Sequence, residues 1–225
     1  MKLRQIQFEI IMISKTGLAY PALAMAALLT AAAGFADAVG YLRGGIFAAN
    51  MTGNTVLAGL SLAEHQWSQA GERGITLVTF FVGAMLGRVM LRLARGRSWA
   101  PLSVEALVIA VMAFDSDTFT TIWGIALAMG IQASAILRFS GVATSTVVIT
   151  STMARIAEAL TDRLWPGPGE HAPPVAGATL LIVTWIFYGI GALIAGLFMR
   201  DLAYPLLVPA GMVALVAALS FRTSP

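Results

Sequence analysis

Across 225 residues, 58% are hydrophobic and only 11% are Asp, Glu, Lys or Arg, with a mean hydropathy of +0.83; a water-soluble fold of this size carries about 25% charged residues to cover its surface, so lipid must do part of the solvation. The net charge of +3 comes without a basic run or interleaved aromatics that would follow a phosphate backbone, which excludes nucleic acid as a partner and leaves the lipid bilayer. Cysteine is absent, which excludes disulfides and thiolate metal or redox chemistry.

Residues 1–19 have Glu9 and Lys15 within their apolar stretch, unlike a cleaved signal peptide, and read as an N-terminal interfacial segment. Helix-compatible apolar segments then follow at 20–42, 45–62, 74–93, 99–114, 119–138, 142–160, 174–199 and 203–221. A span needs about 20 residues, because each rises about 1.5 Å against a hydrocarbon core of about 30 Å. The first, third, fifth, seventh and eighth segments reach or approach that length, and the fourth is short. The second and sixth place Asn50, Thr52, Gly53, Asn54 and Thr55, and then Thr150, Ser151, Thr152 and Arg155, inside apolar runs. Short polar side chains compete with the helix for its own backbone groups and suit a cavity better than lipid.

The chain also resembles itself. GFADAVGYLRGGIFAANMTGNTV from Gly34 lies over GIQASAILRFSGVATSTVVITSTMA from Gly130, LVTFFVGAMLG from Leu77 over LIVTWIFYGIG from Leu181, and Pro101-Leu102 over Pro205-Leu206. These matches divide one membrane domain, 1–225, into repeat 1 at 20–115 and repeat 2 at 119–221. If all eight elements crossed with the N-terminus in the cytoplasm, Arg92, Arg95 and Arg97 would lie outside, against the positive-inside tendency. If elements two and six enter and leave on one face, those arginines and Arg138, Arg155, Arg163 and Arg222 lie inside. The expected fold is therefore an all-α polytopic membrane protein of six transmembrane helices plus two re-entrant or broken helices, as an inverted repeat with both termini cytoplasmic.

Asp37 is a lone carboxylate near the end of the first span, a place expensive for charge unless it is paired or faces water. With Asn50, Thr52, Gly53, Asn54, Gln132, Thr150, Ser151 and Thr152 it forms the candidate substrate-binding set; the bland reading of the same residues is hydrogen-bonded packing between helices. Arg88 and Glu105, on sequence-adjacent helices, are expected to form a structural ion pair. His65 and His171 are too far apart for a metal motif, and no nucleotide-binding or paired-carboxylate motif is present, so neither a metal, a cofactor nor an enzyme activity is expected.

Gly34, Phe35, Asp37, Ala38, Gly40, Tyr41 and Leu42, followed by the box Met51, Thr52, Gly53, Asn54 and Thr55, resemble the hallmark of the YoaK-like (DUF1275) family of bacterial inner-membrane proteins. The second-half signature departs from the family pattern, with Ala133-Ser134 after Gln132 in place of Asn-Ala, and Ser151 in place of a glycine. The resemblance implies a multi-pass protein of the bacterial inner membrane and leaves the substrate open. The expected function is a secondary transporter or channel for a small polar or ionic solute, with homo-oligomerisation compatible with it. The alternative is a non-transporting membrane accessory or assembly protein acting through helix packing.

Overall fold

The computed structural model describes residues 20–135, 138–139, 142–143, 149–165 and 175–223. Helix α1 (Tyr20–Gly44) is rich in alanine, and its small side chains let neighbours approach closely on several faces. It is accordingly the central helix, with 72% of its most apolar stretch buried, against 17% in α3 (Trp67–Leu93) and 28% in α7 (Val175–Phe198). Gly45, at a φ of +65°, ends α1 and donates its N–H back to Tyr41 O. Between α1 and α3 lies α2 (Met51–Ala63). The chain continues through α4 (Trp99–Met112), α5 (Thr118–Ser134), α6 (Ile149–Leu164), α7 and α8 (Leu207–Thr223). Two-residue strands, β1 (Arg138–Phe139) and β2 (Val142–Ala143), pair antiparallel between α5 and α6. Asp117 caps α5 by accepting from Thr120 N at 2.7 Å, and that backbone hydrogen bond holds its carboxyl below the ordinary value.

Helix partners are set by glycines. A Cβ on Gly34 or Gly191 of α1 and α7 would strike the backbone of Tyr188 or Ala31, and one on Gly83 or Gly130 of α3 and α5 would strike the backbone of Leu127 or Phe80. α1 therefore packs on α7, and α3 on α5, at backbone-to-backbone distance. Both pairs run parallel. In the first, Ala26 meets Leu180 and Asp37 meets Tyr188; in the second, Trp123 reaches Glu72 O and Ser134 reaches Ala84 O. α4 packs on α8 in the opposite sense, with Trp99 against Phe221 and Phe114 against Tyr204.

α1 and α5 run antiparallel: Gln132 Nε2 donates to Leu29 O at 3.1 Å, and Gly44 lies against Ile122 and Thr118. Since α3 is parallel to α5, α3 runs opposite to α1. The chain between them, 45–66, thus starts and finishes at the same end of the bundle. It first folds back along α1, where Gly40 lies against Ile46 and Ala48 and the Phe47 ring stacks on Tyr41 at 4.8 Å, before α2 climbs out again.

The expected helix count is corrected. Among the described residues three helices, not six, are long and apolar enough to cross a membrane: Pro21–Gly44, Trp67–Leu93 and Gly177–Phe198. The apolar helices α4 and α8 have 14 and 17 residues, or about 21 and 26 Å, short of a core of about 30 Å. The sequence segment at 203–221 was apolar throughout, but Ala203 to Leu206 form a turn and shorten the helix. With α2 at 13 residues, the six-span arrangement with two re-entrant helices gives way to three long helices among shorter ones. The interfacial segment expected at 1–19 lies outside the described residues.

Candidate functional site

The chain folds back beside α1 because Asp37 holds it there. Its side chain is buried; Oδ1 accepts from Ala49 N at 2.5 Å and Asn50 N at 3.1 Å, and Oδ2 accepts from the Tyr188 hydroxyl of α7. The amides at 49 and 50 lead into α2, so the N-terminal, partially positive end of that helix lies at depth, with a carboxylate of the chain itself on it. Asn50 then caps α2, its Oδ1 accepting from Gly53 N at 3.0 Å.

Asn54 completes the turn. Fully buried, it donates from Nδ2 to Phe47 O at 2.7 Å and accepts at Oδ1 from Phe47 N at 2.9 Å, replacing the two hydrogen bonds that an extended loop residue would otherwise lack. Gly53 leaves room for the Phe47 ring, which a Cβ would meet at 3.0 Å. Asp37, Asn50, Gly53 and Asn54 are thus one constellation whose hydrogen bonds close within the chain. Thr52 is exposed on the same helix, and Thr55 returns its hydroxyl to Met51 O at 2.8 Å. The bidentate Phe47 pair predicts that Asn54→Ala costs about 2–4 kcal/mol, since two part-buried backbone groups each lose a partner at about 1–2 kcal/mol. Thr55→Ala changes stability by less than about 0.5 kcal/mol. Chemical unfolding of the two variants in detergent checks the contrast.

The other candidates are placed elsewhere. Gln132 is buried on α5 and bonded to α1. Thr152 is buried on α6; Thr150 and Ser151 fall in the first turn of that helix, and their side chains lie outside the described residues. α2 packs on α3 and α6 on α7, so the two boxes expected to line one site are carried by different helix pairs. Arg88 and Glu105 do not form the expected ion pair. Arg88 is exposed, whereas both oxygens of the fully buried Glu105 have no hydrogen-bond partner among the described residues. The reason is the helix pairing: α3 touches α4 only marginally and gives its close face to α5.

Tyr188 went unnoticed in the sequence. A tyrosine in the middle of an aliphatic span needs a partner for its hydroxyl, which was the available signal. In the register that puts Leu77 on Leu181, Tyr188 falls on Ala84, whose carbonyl accepts from Ser134 Oγ at 2.5 Å. Ser134 is next to Ala133, the counterpart of Asp37. The α1–α7 crossing is thus fastened through a carboxylate and a phenol, and the α3–α5 crossing through a hydroxyl and a main-chain carbonyl. A groove of about 370 Å³ opens on the outer face of α7, lined by Trp185, Ile186, Tyr188, Gly189, Ile190 and Leu193; none of the nine candidate residues contributes to it.

Residues 25–219 match the family described as "Protein of unknown function (DUF1275)". The UPF0700 transmembrane protein YoaK of Bacillus subtilis (strain 168) is 29% identical over 186 residues, covering 77% of this chain and 82% of that protein. No solved structure matches. The glycine-paired apolar helices and the Asp37 and Asn54 constellation belong to a chain that is a member of the DUF1275 family of bacterial multi-pass membrane proteins.

Proposed function

We propose that this protein is a secondary transporter for a small polar or ionic solute, built as an inverted repeat in the bacterial inner membrane with both termini cytoplasmic. The observation that carries this reading is the relation between the halves. α1 and its sequence counterpart α5 run in opposite directions. Exchanging the halves also turns α1 with α7 into α5 with α3, α2 with α3 into α6 with α7, and α1 with α8 into α5 with α4, and returns α4 with α8 to itself. Oppositely oriented halves with a helix end held at depth are the usual internal arrangement of secondary transporters. In this reading Asp37 is the internal anion on that helix end, and α2 moves when the carboxylate lets go.

One observation favours the second reading, a non-transporting accessory protein that acts through helix packing: the hydrogen-bonding groups of Asp37, Asn50 and Asn54 bind the chain itself. Flux of a panel of small ions and polar solutes into proteoliposomes separates the two. The expected result is protein-dependent flux that falls about tenfold in Asp37→Asn, equivalent to about 1.4 kcal/mol in the barrier. Folded protein that moves none of the panel overturns the transport reading and leaves the accessory one.

A further inference from the structure

Glu105 lies on the face of α4 that carries Leu102, Ala106 and Ile109, all buried in the central core together with Val213 and Val216 of α8. Its side chain is fully buried, and neither carboxyl oxygen has a hydrogen-bond partner among the described residues. Packing does not explain it. A leucine or methionine would fill the same space without the penalty of about 1–3 kcal/mol that a buried, unsatisfied polar group carries. In the repeat register that puts Pro101 on Pro205, its counterpart is Pro209, so the acid belongs to one half alone.

Among the described residues no neighbouring element supplies a countercharge. α8 has no titratable residue before Arg222, which is exposed, and α5 has none between Thr118 and Ser134. On α3, Arg88 and Arg92 are exposed, Arg73 donates to Ser61 and Gln69, and Glu72 accepts from Ser68. No group of three or more acidic or histidine side chains that could hold a metal ion exists among the described residues. A lone carboxyl in an aliphatic core has too few donors for a metal or a polar solute. A proton needs only one oxygen.

We propose that Glu105 is a proton-carrying site, which holds a proton while the α4–α8 interface is closed and gives it to water when that interface opens. The O–H bond breaks toward water and forms again from water on the next closure, with no other reactant. Ionisable residues inside apolar helix packing are rare in membrane proteins and mark ion pathways and proton relays. The site stands on the geometry of α4; only its use in driving a solute rests on the transport reading above.

The test is read on the native chain in liposomes. Dicyclohexylcarbodiimide, a hydrophobic reagent that attacks protonated carboxyls, is expected to form an adduct at Glu105, located by mass spectrometry. Its rate is expected to fall as the pH is raised far enough to remove the proton. No adduct at Glu105, or an adduct rate indifferent to pH, overturns the proposal. Glu105→Gln and Glu105→Met are expected to melt at or above the native temperature, since each removes a buried acid that packing does not need; melting well below it would show a structural role and count against the site. Flux separates the two readings. A pH-dependent adduct without flux of any solute keeps the proton site and removes the transport reading. Flux indifferent to a pH gradient, without an adduct, removes the proton site and keeps transport.

Discussion

Asp37→Ala is expected to destabilise the protein by about 3–5 kcal/mol, the usual cost of removing one partner from a buried charged network. The substitution strips acceptors from Ala49 N, Asn50 N and the Tyr188 hydroxyl together. It also leaves the N-terminal end of α2 without a neutralising charge, in a place that water does not reach. Asp37→Asn is milder, because its carbonyl still accepts from the two amides and its NH₂ can donate to the Tyr188 oxygen. Tyr188→Phe removes one bond of the three and is expected to cost about 1 kcal/mol. A double-mutant cycle of Asp37→Asn with Tyr188→Phe, followed by chemical unfolding in detergent, measures the coupling. Equal stabilities for native and Asp37→Ala protein would show that the loop 45–50 is held by something other than this carboxylate.

Gly34→Ala is expected to separate α1 from α7 and cost about 1–3 kcal/mol or more, as overpacking in a tight core does. The added methyl would run into the backbone carbonyl of Tyr188, and a carbonyl has no rotamer that relieves the clash. Gly189→Ala, on the exposed face of α7, meets nothing within 4 Å and is expected to be neutral or stabilising by up to about 1 kcal/mol through helix propensity. Gly130→Ala in α5, against Phe80 O, repeats the Gly34 result at the other crossing. Thermal unfolding of the three variants checks the order. A Gly34→Ala protein as stable as the Gly189→Ala protein would contradict backbone-to-backbone packing at this crossing.

The positions of the helices were largely legible from residues alone. The eight apolar segments correspond to α1 through α8, with α2 starting six residues later at Met51, α3 seven residues earlier at Trp67, and α6 at Ile149 after the short β pair. Asp37 and Asn54 were also legible as unusual, because each places a strong hydrogen-bonding group in apolar surroundings. Their tasks were not. Asp37 acts on amides 12 and 13 residues away and on a hydroxyl 151 residues away, distances over which local pattern carries no information. The Arg88–Glu105 pair followed from adjacency in sequence, and adjacency misled: α4 gives its close face to α8 and α5.

Composition and hydropathy by themselves determined that this chain lives in lipid, where its helices lie and which polar residues needed an explanation, because these depend on transfer of each segment from water and on local backbone needs. Only the tertiary structure decided which helix packs on which, how many are long enough to cross, and that Asp37 turns inward to its own backbone. In lipid an apolar helix has no hydrophobic stripe to choose its neighbour. The choice falls to glycine contacts such as Gly34 with Tyr188 and Gly130 with Phe80, a match of shapes that exists only once both helices are in place.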